Sequence, residues 1–287
     1  MNTWQNIQYK MLRSGSRVNL LIGINVFVFL LVNIAGVIDR LIFQSNFIDY
    51  YSGELLLLPS FLPRLASHFW TPFTYMFMHA GIFHILFNML WLYWFGQIFE
   101  EYLGNKRTIG LYLLGGLTGA IFFIAAYNIF PFFAAALAGS TVVGASASVM
   151  AIIVATATLL PDYSLNLILL GPVKLKWIAL FYVVIDFLSI AGPNAGGEFA
   201  HLGGALFGFV YIKQLKRGND WIAAIAGIFK SKSKMRVVSK NSDRNDSGKP
   251  RQDEIDRILD KITESGYGSL SKQEREILSR ASKDNEV

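Results

Sequence analysis

The feature that most constrains this chain is a series of apolar runs too long for a soluble domain to bury. Runs of about 17 to 25 apolar residues match a hydrocarbon layer roughly 30 Å thick. Scanning at that length predicts six membrane-spanning helices, near residues 18–37, 82–99, 108–130, 144–160, 174–191 and 199–215. Composition points the same way: 53% of the 287 residues are hydrophobic and 16% are charged, so much of the chain belongs in lipid. Cysteine is absent, which excludes disulfides, thiolate metal sites and a cysteine nucleophile.

A net charge of +6 does not point to nucleic acid, because Lys and Arg punctuate the apolar runs instead of forming one face. Lys10, Arg13, Arg17, Lys106, Arg107, Lys174, Lys176, Lys213, Lys216 and Arg217 fall on one set of ends. The opposite set carries only Arg40 and Arg64. By the positive-inside rule both termini are expected in the cytoplasm, in a multi-pass integral membrane protein. Residues 1–17, with Trp4, Ile7, Tyr9 and Met11 beside basic residues, are expected to form a cytoplasmic interfacial segment. The first outer loop, about 38–81, is rich in aromatic and aliphatic residues and is expected in the outer interface; Pro59 and Pro63 argue against another span. After the membrane domain at 18–217 comes a polar cytoplasmic linker, 218–252. A small helical hairpin follows over 253–287, marked by Ile255, Ile258, Leu259 and Ile262 at helical spacing and by a capping box, Ser271 with Glu274.

Several polar groups sit inside or beside the expected spans: His84 and Asn88, Ser146 and Ser148, Asp186, and His201. Such groups are costly in lipid and are functional candidates by default. The second, fourth and sixth spans run in one direction, and His84, Asn88, Ser146 and His201 all lie near their starts. They therefore converge on one level beneath the outer face. The fourth span supplies only about 25 Å of helix, so its start should be sunken. The uncharged stretch before it can then line a wet pit open to the outside. Ala200, Gly204 and Gly208 form a small-residue face that allows the sixth helix to approach the fourth closely.

That placement suits acyl transfer. A serine needs an adjacent base, which a neutral imidazole supplies. The oxyanion needs fixed donors. The Ser146 backbone N–H at a helix N-terminus is one, and His84 and Asn88, on one helical face, are side-chain candidates beside it.

"HILFN" at 84–88, "GASA" at 144–147 and "HLGGALFG" at 201–208, with Glu100 and Gly104 in "EEYLG", resemble the rhomboid intramembrane serine proteases over roughly 15–217. The resemblance implies an all-α, six-span bundle with Ser146 as nucleophile and His201 as base. It also implies an oxyanion site of His84, Asn88 and the Ser146 amide. The implied activity is serine endopeptidase hydrolysis in or next to transmembrane segments, with transmembrane proteins and the lipid bilayer as partners. It implies no cofactor and no metal, and a bacterial inner membrane as location. The oligomeric state is left open. The chain departs from the family's pattern in having Ala147 after the serine, Met150 where many members stack a tyrosine on the histidine, and Thr71 after Trp70 where many bacterial members have arginine.

Ser148 is read as a packing or locally hydrogen-bonded residue, since it turns away from Ser146. Asp186 is read as a buried structural hydrogen bond or helix pair instead of a third member orienting His201, because the resembled family works without one. His68, His79, His84 and His201 contain no "HExxH" run, so no metal site is expected, and His79 is expected to cap or bond within the outer loop. Two other classes stay open: a catalytically inactive rhomboid-like protein that binds transmembrane helices, and a small transporter, which would call for internal repeats and charges at mid-membrane.

Overall fold

The computed structural model describes residues 15–167, 171–228 and 252–283, in two compact units divided after Ser231. The interfacial segment expected at 1–17 lies outside the described residues up to position 14, as does the expected linker from 229 to 251.

In the first unit, α1 (Arg17–Ile42) is capped at Ser16, whose hydroxyl accepts from the Asn19 N–H at 3.2 Å. The Glu100 carboxylate accepts from the Arg17 and Val18 N–H groups at 3.1 and 2.9 Å. A carboxylate there satisfies donors that the helix itself cannot, at the positive end of its dipole.

The loop after α1 is a folded element, not merely an interfacial stretch. It contains α2 (Phe47–Leu56), β1 (Leu58–Pro59), α3 (Leu62–Ser67) and α4 (Thr71–Thr74). Asp39 accepts from Ser45 Oγ at 2.8 Å and from the Ile48 N–H at 3.1 Å, which ties α2 to the end of α1. Arg64 pairs with Glu54 at 3.0 Å, and Trp70 Nε1 donates to the Leu55 carbonyl at 2.7 Å. The loop is therefore anchored through Arg64 and Trp70, without an arginine at position 71.

Five long or apolar helices follow. α5 (Ile82–Leu103) and α6 (Asn105–Ile129) meet at Gly104, whose φ of +79° is a left-handed conformation suited to glycine. β2 (Thr141–Val142) pairs antiparallel with β1, and α7 (Ser146–Leu159) begins just after it. A two-stranded hairpin, β3 (Ser164–Leu167) and β4 (Gly171–Lys174), leads into α8 (Leu175–Ser189), then α9 (Ala195–Leu215).

Three of these helices, α1, α5 and α6, are long and apolar enough to cross a membrane by length and composition; six were expected. The difference has physical causes. α7 and α8, with 14 and 15 residues, reach only about 21–23 Å, short of a roughly 30 Å hydrocarbon layer. α9 has 21 residues, but Glu198, His201, Lys213 and its glycines dilute its apolar character.

α7 is the centre of the unit. Every residue from Ala147 to Ala157 is buried, and the helix touches α5, α6, α8 and α9. A helix apolar on all sides is a buried helix. Its seam with α9 has the small-residue face expected from the sequence: a Cβ on Gly204 would overlap the Ala147 carbonyl oxygen, and one on Gly208 the Ala151 carbonyl oxygen. On α6, a Cβ at Gly119 would lie 2.6 Å from Ala147 Cβ and 2.7 Å from the Ala200 carbonyl oxygen, so the three helices meet backbone to backbone. Outward, Phe27 and Leu31 on α1, Ile121 on α6, and Phe181 and Leu188 on α8 are exposed. A surface of that kind calls for a hydrocarbon surrounding.

The expected linker at 218–252 opens with a helix instead, α10 (Trp221–Ile228). Asp220 accepts from Arg107 Nε at 2.8 Å and from the Tyr211 hydroxyl at 3.2 Å, and Ile222 is buried against Gly110.

Among the described residues the second unit contains α11 (Gln252–Ser265) and α12 (Lys272–Lys283). The Ser271 N–H donates to Glu274 Oε2 at 2.7 Å and the Glu274 N–H to Ser271 Oγ at 3.3 Å, a reciprocal cap. Lys261, bonded to Glu274 at 2.9 Å, and the Ser271 amide hold that carboxyl down to about 2.

Candidate active site

Ser146 is the first residue of α7. The N–H groups of a first helical turn have no partner within the helix, and they sit at the positive end of its dipole. The approach to this turn is pinned: the Gly144 N–H donates to the Tyr75 carbonyl at 3.0 Å. Gly144 has φ +131°, and a Cβ there would lie 2.8 Å from His84 Nε2 and 3.4 Å from Ser146 Oγ. A side chain at 144 would therefore run into the imidazole and crowd the hydroxyl, which leaves room only for glycine.

His84, in the first turn of α5, faces its Nδ1 to the Ala80 N–H at 3.4 Å. With that nitrogen accepting, a neutral ring carries its proton on Nε2, beside Gly144 and Ser146. One turn further on, Asn88 is buried, and its Nδ2 donates to the His84 carbonyl at 2.8 Å. His84 and Asn88 thus stand together as the sequence spacing implied.

His201 lies on α9. Its Nδ1 is 3.1 Å from Asp186 Oδ1 on α8 and 3.6 Å from Glu198 Oε2, one turn away on its own helix. Asp186 is buried and pairs α8 with α9 through a hydrogen bond, as expected, and the partner in that bond is the candidate base itself. Glu198 was missed altogether. Its signal was the three-residue spacing to His201 on one helical face. Asn194 Nδ2 donates to Glu198 Oε1 at 3.1 Å, which holds the second carboxylate in place.

His84, Asn88, Ser146, Asp186, Glu198 and His201 all line one cavity of about 530 Å³. Among the described residues no hydrogen bond joins the Ser146 hydroxyl to the His201 ring; in free enzymes such bonds are often long and tighten with substrate. Met150 is buried on the same wall. Ser148 is fully buried on the opposite side of α7, its Oγ 2.6 Å from where a Gly116 Cβ would lie. It makes no hydrogen bond among the described residues, so it is packing alone. His79 is buried with its ring edge-on to His84, centroids 5.2 Å apart, and so packs against the site. His68 bonds locally to Ser67 and Arg64.

The four histidines form no common cluster. Asp186, Glu198 and His201 do bring one ligand atom each within 4.8 Å of one another, a donor set that suits a divalent cation.

The chain is similar in sequence to known proteins. Residues 66–217, more than half of the chain, match the Rhomboid domain family. The chain belongs to the rhomboid family. It is 32% identical over 173 residues to presenilin-associated rhomboid-like protein A, mitochondrial, of Danio rerio, covering 59% of this chain and 41% of that one. It is 30% identical over 157 residues to RHOMBOID-like protein 12, mitochondrial, of Arabidopsis thaliana, covering 52% and 47%. The match thus spans less than half the length of either relative. Membership makes this rhomboid a membrane protein, in keeping with its apolar exterior. A second family, of unknown function, matches residues 241–284, which include α11 and α12.

Proposed function

We propose that this rhomboid is an intramembrane serine endopeptidase that hydrolyses peptide bonds in or next to transmembrane segments of other membrane proteins. The observation that carries the reading is the convergence of Ser146, His201, His84 and Asn88, from three helices, on one cavity. In the proposed cycle Ser146 Oγ attacks the scissile carbonyl carbon while His201 Nε2 takes the hydroxyl proton. The resulting oxyanion is held by the Ser146 N–H, His84 Nε2–H and the Asn88 amide. The imidazolium then gives its proton to the leaving amine, and water, activated by the same ring, releases the acyl group.

In this reading α1 and α5 to α9 all cross the bilayer. The shortness of α7 is tolerated because neighbouring helices enclose it, and its recessed start leaves the cavity open to water. Both termini would then be cytoplasmic by the charge asymmetry. A bacterial inner membrane is the proposed location; the two relatives are named as mitochondrial proteins, so fractionation of the source cell decides between the two membranes.

The second reading is an inactive relative that binds transmembrane helices, favoured by the missing Ser146–His201 bond. The purified protein in proteoliposomes, given a fluorogenic transmembrane substrate beside its Ser146→Ala variant, separates the two. The protease reading expects cleavage by the unaltered protein and a loss of about 10³-fold or more in the variant. Equal cleavage by both, or none by either, overturns it.

A further inference from the structure

The imidazole of His201 has a restraint that a two-residue mechanism does not use. Among the described residues no aromatic ring contacts it, so its orientation rests on polar partners. The nearest is Asp186 Oδ1 at 3.1 Å from Nδ1, on a carboxylate 5% exposed and carried by a different helix. A buried carboxylate is costly unless it is paired, and here His201 is the partner of Oδ1, while Oδ2 has none among the described residues. Glu198 Oε2 is farther, at 3.6 Å, and its other oxygen is engaged by Asn194. The titratable groups facing the ring are thus Asp186 from α8 and Glu198 from α9, with His84 of α5 across the same cavity.

We propose that Asp186 is a positioning residue for His201. It accepts the Nδ1 proton, fixes the Nδ1–H tautomer, and leaves the Nε2 lone pair for the Ser146 hydroxyl. When Nε2 takes the serine proton, the Asp186 charge lies against the new imidazolium and itself stays unprotonated. The dyad is in effect a triad whose third member comes from α8, and Glu198 is a weaker acceptor beside it. This inference rests on the protease reading above.

The test uses the full-length protein with Asp186→Asn, Asp186→Glu and Glu198→Gln. Readouts are kcat and KM on the transmembrane substrate, the rate of phosphonate labelling, thermal melting, and ¹⁵N-histidine spectra with His201 assigned by its loss in His201→Gln. An Asn amide can donate to Nδ1 and so favours the wrong tautomer. Asp186→Asn should lower kcat and labelling by on the order of 10²- to 10⁴-fold with KM within about twofold. The His201 signal should move from Nδ1–H towards Nε2–H. Asp186→Glu should recover part of the rate, and Glu198→Gln should cost less than about tenfold. Unchanged kcat and an unchanged tautomer in Asp186→Asn would overturn the proposal, as would a loss explained entirely by unfolding. Activity lost to a chelator and restored by Zn²⁺ would overturn it too, by making the three side chains a metal site. If the unaltered protein neither cleaves nor labels, the protease reading fails on its own, while the spectra still decide whether Asp186 sets the tautomer.

Discussion

The two neighbours of α7 that complete the site are held in opposite ways. On the α9 side, Gly204 and Gly208 bring backbone against backbone, and no side chain can be added without displacing a carbonyl. On the α8 side, only Leu175, Ile178, Ala179 and Asp186 are buried, while Trp177, Phe181 and Leu188 face outward. α8 reaches α5 through the rings of Tyr182 and Trp91, edge to face at 5.3 Å. The proposed nucleophile and base are therefore mounted on the stiff seam, where small displacements would be most damaging. Asp186, the proposed positioning group, sits on the looser element, of the kind from which moving parts are drawn. Substrate admission on the α8 side would move Asp186 away only until α8 closes again over the bound substrate, with the Ser146–His201 frame left in place.

That contrast can be broken most severely at the seam. Gly204→Val should cost about 3 kcal/mol or more, because backbone, not a flexible side chain, has to yield. Gly53→Ala, where nothing lies within 4 Å, should be within about 0.5 kcal/mol of neutral. Thermal melts in one detergent compare them, and equal stabilities would mean the seam is not tight. On the loose side, Tyr182→Ala removes a ring pair worth about 0.5–1.5 kcal/mol. If that pair opposes opening, turnover of a transmembrane substrate should rise by about two- to tenfold with little change in melting. A fall in turnover would remove α8 as the admitting element.

The mildest effect belongs to the joint between α7 and α8. Lys176 and Lys174 bond Asp162 at 2.8 and 3.0 Å and hold its carboxyl down to about 2, below an ordinary aspartate near ~3.9. The tether's contribution is thus present above the ordinary value and is lost as pH falls towards 2. Amide exchange across β3 and β4 should quicken over that acid range, and Asp162→Asn should show the faster exchange at neutral pH with no further acid response. An identical profile in both proteins would show that the tether does not hold the joint.

Much of the frame was legible because it depends on local pattern. Gly204 and Gly208 at a four-residue period announce a close helix contact, and "GASA" followed by an apolar run announces a slim helix start. What was illegible depends on partners distant in the chain. Glu100 capping α1, Trp70 bonding Leu55 and Arg64 pairing with Glu54 involve no periodicity. Asp186 could be noticed as an acid in a span, but its partner could not be chosen until α8 and α9 were placed side by side. α10 was overlooked because the following polar run masked eight apolar-rich residues that Asp220 and Ile222 fasten to the membrane unit.

The central claim is that Ser146 and His201 act as one chemical unit, and covalent labelling reads it directly. The intact protein is treated with a fluorophosphonate and its mass measured, beside Ser146→Ala and His201→Ala. One adduct on Ser146 in the unaltered protein, absent from Ser146→Ala and slowed by about 10³-fold or more in His201→Ala, is the predicted result. Undiminished labelling in His201→Ala, or an adduct persisting in Ser146→Ala, would contradict it.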